Sequence, residues 1–210
     1  MCKDCHKVER RSFIISTAAA LVSSGSQLHA AVAKQPLPPV DLNFISSKME
    51  LVARDKWTDI KPIAWKMRGN AKPDRITVHH AGGATNKDTH QNSVIHQLSN
   101  ILQGHAKKDY GDIAYHLILD YSGRVWEGRS LAYEGAHVAE NNESNIGIMM
   151  LGNFDKQSIS KGQLGSLKQL VSLLRGEYGI KAHRIYGHRD LSPSACPGKN
   201  LYPYVEKLRG

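Results

Sequence analysis

Only three cysteines occur in the 210 residues, and two of them, Cys2 and Cys5, lie at the very start of the chain. That count excludes a dense disulfide framework and a finger built from paired cysteines and histidines. Aromatic residues are also few, at 7%. Neither an RNP-like aromatic motif nor a long basic run is present, so nucleic acid is not the expected partner of the positive charge. No apolar stretch reaches the ~20 residues needed to span a bilayer, and no internal repeat is visible. What is present is an ordinary globular composition, 40% hydrophobic and 22% charged, with a net charge of +9. The length suits one domain with its own core and a short appendage. A basic balance favours polyanionic surroundings, and anionic cell-envelope polymers remain when nucleic acid is set aside.

The N-terminus accounts for part of this charge. "ERRSFIIST" carries Arg10 and Arg11, then opens a modest apolar stretch from Phe13 to Val22. Small-residue cleavage candidates follow, "LHA" ending at Ala30 and "AVA" ending at Ala33. This order of basic, apolar and cleavable segments predicts a signal peptide over residues 1–33, and the twin arginine points to the Tat route. Periplasmic or secreted localisation in a bacterium follows; a short N-terminal helix of the domain is the alternative. Cleavage would remove Lys3, Lys7, Arg10 and Arg11 with only Asp4 and Glu9, leaving a basic remainder. "CKDCH" at 2–6 matches the CxxCH pattern of covalent haem attachment. Upstream of the arginines it has no domain around it, and it reads as a coincidence or a transient metal-binding tail. Cys196 is then the one cysteine left. An unpaired thiol in an oxidising compartment is a liability unless something, such as a metal, occupies it.

Residues 34–48, beginning "KQPLPPVDLN", are proline-rich and predict an extended linker, with the domain starting at Met49 and running to 210. "RITVHH" (75–80) alternates and is β-branched, so it predicts a strand ending in histidines. Helical spacing of Val94, Ile95, Leu98, Ile101 and Leu102 predicts a helix over 92–103. "IAYHLILD" (113–120) and "RVWEG" predict a hairpin joined at "YSG". "NIGIMMLGNF" is nearly all apolar, as in a central strand covered on both faces. Ser160 and Gln163 form a capping-box pattern before Leu164, Leu167, Leu170, Val171 and Leu174, a helix ending near Tyr178. A short strand in "AHRIYGH" and a terminal helical turn in "YPYVEKLRG" complete an α/β domain, a mixed central β-sheet flanked by helices.

"GHRDLSPSACPG" (187–198) is too rich in turn-formers for a regular helix and can fold His188 and Cys196 toward one point. A metal, a reactive thiol or simple packing would each fit, and an isolated buried cysteine is more often a packing residue. Zinc takes imidazole and thiolate, and a catalytic site keeps three protein ligands and an open position. "TVHH" offers a third ligand, but adjacent strand residues point to opposite faces, so only one of His79 and His80 can serve.

"VHHAGG", "DIAYHLILDYSGRVWEGR", "GAHVAENNESNIGIMMLGNF" and "GHRDLSPSACPG" together resemble the zinc N-acetylmuramoyl-L-alanine amidases of the peptidoglycan recognition protein and T7 lysozyme (amidase type 2) family. The likeness runs in order from Leu51 to the C-terminus. It implies that His79, His188 and Cys196 hold Zn2+ and that Tyr115 assists catalysis. Read without it, Tyr115 is a core tyrosine sharing a face with Leu117 and Leu119. Ser194 stands where the family often has lysine or threonine, keeping a donor hydroxyl without the charge. Ser130 and Leu131 stand where an aromatic often reads the peptide stem. His80, His116 and His137 are expected to support the ligands or line the groove, and His90, His96 and His105 to face solvent. His80, His137, Arg129 and Asn145 are the substrate-binding candidates; for Arg129, Asn142 and Asn145, loop hydrogen bonding is the equally fitting alternative. The implied partner is peptidoglycan or muropeptide, met by a monomer with no stable membrane span after cleavage. The implied activity is hydrolysis of the amide between N-acetylmuramic acid and L-alanine, the alternative being a muropeptide recognition module. Members that only bind typically lack the metal cysteine, and Cys196 is present.

Overall fold

The computed structural model describes residues 36–210. The expected signal peptide and the CKDCH run lie outside the described residues. Six strands form one mixed sheet: β1 (Leu51–Val52), β2 (Arg75–His80), β3 (Leu117–Leu119), β4 (Val125–Glu127), β5 (Asn145–Met150) and β6 (Ile185–Gly187). Their order is β1-β4-β3-β5-β2-β6, with β3 and β4 antiparallel and the other pairings parallel. The expected hairpin is present, its turn gathered by the buried Asp120. One carboxylate oxygen of Asp120 accepts the backbone N–H groups of Ser122, Gly123 and Arg124, and the other takes Arg124 Nε at 2.7 Å. The regular strand is shorter than 113–120. Around Tyr115 and His116 the backbone instead pairs irregularly, their carbonyls accepting from Arg129 and Gly128.

Alternation along the strands builds two cores. Ile76, Val78, Leu117, Leu119, Ile146, Ile148 and Met150 face one way and pack under α3 (Lys161–Tyr178), α4 (Tyr202–Lys207) and α1 (Asn43–Ser46). Ile118, Trp126, Met149 and Leu151 face the other way and pack under Val94, Leu98 and Leu102 of α2 (Gln91–Ala106). All six residues of β5 are buried, as its unbroken apolar run predicts for a strand covered on both faces. The capping box of α3 forms, with Gln163 N–H donating to Ser160 Oγ at 2.9 Å.

One boundary differs from expectation. Residues 43–46 are helical and Ile45 is fully buried in the larger core, so packing begins before Met49. Val40, Leu42, Phe44 and Met49 pack around Ile45 on the same core, with the Phe44 ring edge-on to Tyr178 at 6.2 Å between centroids, so this apolar cluster anchors the turn.

Candidate metal centre

The alternation that sends Ile76 and Val78 toward α3 sends Thr77 and His79 to the opposite face. His79 is 1% exposed there. His80 turns back toward Phe154, lies stacked on its ring at 6.4 Å between centroids, and accepts the Phe154 N–H at Nδ1. Only one histidine of the pair joins the site, as the strand geometry requires.

β6 ends at Gly187 beside the end of β2 and delivers His188 to the His79 ring, 4.8 Å away between centroids. The loop then doubles back. Arg189 N–H donates to the Cys196 carbonyl at 2.9 Å, Ser194 Oγ accepts the Cys196 N–H at 3.1 Å, and Gly198 N–H donates to Ala195. Gly198 holds φ +92, and a Cβ there would come within 2.6 Å of the Phe154 backbone, so glycine is required on both counts. Asp190 fastens the other end, accepting Gly187 N–H at 2.7 Å and the Tyr202 hydroxyl while pairing with Arg209. Its place three residues after Gly187, an acidic residue at the first turn, was the available sequence signal for this fastening role.

These contacts bring donor atoms of His79, His188 and Cys196 within 4.8 Å of one another. Cys196 Sγ lies 3.6 Å from His79 Nδ1. Bond lengths of ~2.0–2.1 Å to nitrogen and ~2.3 Å to sulfur imply a tetrahedral N···S edge of about 3.5 Å. The donor set therefore fits zinc in both chemistry and spacing. Burial holds His79 well below the usual imidazole range, reinforced by His137, His188 and His80, and burial also lowers His188. Both shifts favour the neutral imidazole, the form a metal takes. Burial pushes the Cys196 thiol up to about 11, so the thiolate that ligation requires would be stabilised by a bound cation.

Tyr115 lies beside this cluster, its ring 5.1 Å from that of His79 between centroids. It packs against the α2-side core, not with Leu117 and Leu119. Burial, with Cys196 and Tyr110, raises its pKa, so the hydroxyl stays a proton donor across the working pH range. No hydrogen bond engages that hydroxyl among the described residues, which leaves it available. Ser194 is half-buried, and its oxygen is occupied by the Cys196 N–H while its O–H remains free to donate.

The expected substrate-binding residues are placed differently. Arg129 is 3% exposed and donates to the carbonyls of Ile113, Glu134, Tyr110 and Asp112, knitting two loops together. Asn145 is fully buried, its amide accepting from Thr77 Oγ1 and donating to the Asn141 carbonyl. His80 is tied to Phe154 as described. Arg129 and Asn145 belong to the scaffold, because their polar side-chain atoms are consumed by protein partners, and a buried Arg or Asn looks the same in sequence as an exposed one. Part-buried His80 engages only Nδ1 in this way, and its main-chain N–H donates to Cys196 Sγ at 3.4 Å. His137 is buried against His79 and so joins the site from behind. His105, expected at the surface, is part-buried under Tyr110 and Tyr115, and its Nδ1 accepts the Ala114 N–H at 3.1 Å.

Both the sequence and the fold have known relatives. The family model described as N-acetylmuramoyl-L-alanine amidase matches residues 69–199. Peptidoglycan-recognition protein SC1a of Drosophila melanogaster is 30% identical over 170 residues, covering 80% of this chain and 88% of that protein. Peptidoglycan-recognition protein SD of Drosophila simulans is 29% identical over 165 residues, covering 78% and 88%. Among solved structures, Drosophila PGRP-SD superposes with a TM-score of 0.68 at 26% identity, over 76% of this chain and 95% of that one. The N-acetylmuramoyl-L-alanine amidase LysC from Clostridium intestinale superposes at 0.62 with 23% identity, over 76% and 94%, a likeness of fold.

Proposed function

The chain belongs to the N-acetylmuramoyl-L-alanine amidase family, and from that premise we propose that it is an exported zinc amidase acting on peptidoglycan. The bond cut is the amide between the lactyl group of N-acetylmuramic acid and L-alanine of the stem peptide. Hydrolysis adds water across that C–N bond, leaving a carboxylate on the sugar and a free amino group on L-alanine. The observation that carries the reading is the convergence of His79, His188 and Cys196 with an unengaged Tyr115 hydroxyl beside them.

His79, His188 and Cys196 would hold the zinc. When bound, the metal supplies Lewis acidity, polarising the amide carbonyl and making water a nucleophile near neutral pH. Tyr115, held neutral by burial, donates its hydroxyl proton to the oxygen on which negative charge develops. Ser194 keeps Cys196 in position through the Cys196 N–H and offers its own O–H as a weaker donor toward the same region. The hydrogen bonds within the loop from Gly187 to Gly198 support a site in which His188 and Cys196 are held in place before substrate arrives. Export by the twin-arginine route, through Arg10 and Arg11, is part of the same proposal. So is a monomeric state. Among the described residues no helix is long and apolar enough to cross a membrane.

A second reading is recognition without cleavage, which the names of the insect relatives favour. Cys196 and Tyr115 favour hydrolysis, since a module that only binds needs neither a metal thiolate nor an oxyanion donor. Incubating the purified domain with peptidoglycan separates the two. The amidase reading expects free stem peptide to accumulate with time and a chelator to stop its release. Retention on the polymer with no peptide released, zinc present, would establish the recognition reading.

A further inference from the structure

Behind the three donor residues lies a second set of imidazoles. His79 Nε2 is 3.1 Å from His137 Nδ1, and His137 Nε2 is 3.2 Å from the main-chain oxygen of Asn145. The protons along this line are fixed by its far end. A carbonyl only accepts, so His137 Nε2 carries the hydrogen, and in a neutral ring Nδ1 is then the acceptor. That acceptor demands a donor at His79 Nε2. The remaining nitrogen of His79, Nδ1, is left with its lone pair facing Cys196 Sγ. We propose that His137 is a positioning residue that sets the tautomer and orientation of His79, so that Nδ1 is the atom offered to the metal. The inference rests on the zinc reading of the His79, His188 and Cys196 cluster.

The fold builds a fitted place for this ring. A Cβ at Gly135 would stand 2.2 Å from His137 Cδ2, and one at Gly147 would stand 2.5 Å from the same atom. Two glycines therefore open the slot that the imidazole fills, with His116 against it edge-on at 5.8 Å between centroids. His116 is itself fixed, accepting the Gly147 N–H at Nδ1 and donating to the Tyr133 carbonyl from Nε2. The backbone on either side is held as well, since the N–H groups of His137 and Val138 both donate to Asn142 Oδ1 at 2.9 Å. Asn145, whose carbonyl ends the line, is locked to β2 through Thr77. Ring, slot and terminal acceptor are thus all anchored to the strands that carry His79. Partners of this kind raise ligand basicity and remove the cost of selecting one tautomer when metal binds.

The test compares zinc affinity, by chelator competition, in wild type, His137→Phe and His137→Asn. Phenylalanine fills the slot without an acceptor, and zinc affinity is expected to fall about 10- to 100-fold. Asparagine restores an oxygen near the place of Nδ1 and is expected to keep affinity within about threefold of wild type. Thermal melts of the zinc-free proteins report whether each variant is folded. A folded His137→Phe that binds zinc as tightly as wild type overturns the proposal. Long-range 1H–15N NMR of zinc-free wild type reads the line directly, whether or not the variants fold. His79 protonated at Nε2 supports it, and His79 protonated at Nδ1 overturns it. A wild type that binds no zinc but shows the Nε2 tautomer defeats the metal reading and leaves the line of protons intact.

Discussion

Replacing Tyr115 with phenylalanine removes one oxygen and leaves the ring. The ring makes all the packing contacts, lying 5.1 Å from His79, 5.8 Å from His105 and 6.2 Å from His137 between centroids. No hydrogen bond is lost within the described residues, so folding stability should change by less than about 1 kcal/mol. Zinc should stay bound, because Tyr115 is not among the three clustered donors. The transition state loses one donor in a buried setting, for which a fall in kcat of roughly 10²–10³ is expected, about 2.7–4 kcal/mol. Since the interaction is made only as charge develops, KM should hold nearly constant while kcat falls. The assay is initial-rate release of stem peptide from a soluble muropeptide, with zinc content and melting temperature measured on the same samples. A Tyr115→Phe variant that is folded, zinc-loaded and as fast as wild type would refute the role and return Tyr115 to packing alone.

Cys196→Ser exchanges thiolate for a poor zinc ligand; elemental analysis should find most of the zinc gone and peptide release largely abolished, while the core keeps the domain folded. Ser194→Ala should cost less than the tyrosine change, within about tenfold in kcat, with zinc retained, since a main-chain-bound serine is the weaker donor; a larger loss in kcat than for Tyr115→Phe would reverse the assignment. Burial lowers His116 from 6.5 to about 4. The unfolded chain therefore binds this proton first, and the stability this neutral ring contributes is present above pH 6.5 and lost as pH falls toward 4. The unfolding free energy from urea titrations should drop between pH 7.5 and 4.5, by up to about 2–3 kcal/mol from this residue, and a flat profile would contradict its neutral burial. Arg10→Lys with Arg11→Lys should strand precursor in the cytoplasm, and normal export of that double variant would exclude the twin-arginine route.

The parts of this fold that were legible in the sequence are those whose signal is local. β2 and β5 announce themselves by β-branched and apolar runs, and the two faces of β2 follow from alternation once Ile76 and Val78 are assigned to the core. The start of α3 is written in Ser160 and Gln163, whose reciprocal bonds need only each other. The clustering of His79, His188 and Cys196 was legible because its motifs keep their order along the chain, although no local property of Cys196 separates a metal-binding thiol from a packing one. What escaped depends on distant partners. Arg129 looks like a surface cation until four carbonyls from two loops are folded around it. Asn145 looks like a groove residue until Thr77 is brought against it. Ile45 sits in a stretch whose prolines suggest a linker, and only the finished core shows that it is inside. Gly135 and Gly147 give no sign that they face one ring, because one lies in the loop just before His137 and the other in β5, and they meet only around that ring.

Cleavage of one particular amide by this domain is read out by mass spectrometry of a defined muropeptide after incubation with the zinc-loaded protein. Two products are expected in equal amount. One is the disaccharide ending in a free lactyl carboxylate, and the other is the intact stem peptide with a free amino group on L-alanine. Recovery of uncut muropeptide alone, from protein shown to carry one zinc and to bind the ligand, would contradict it.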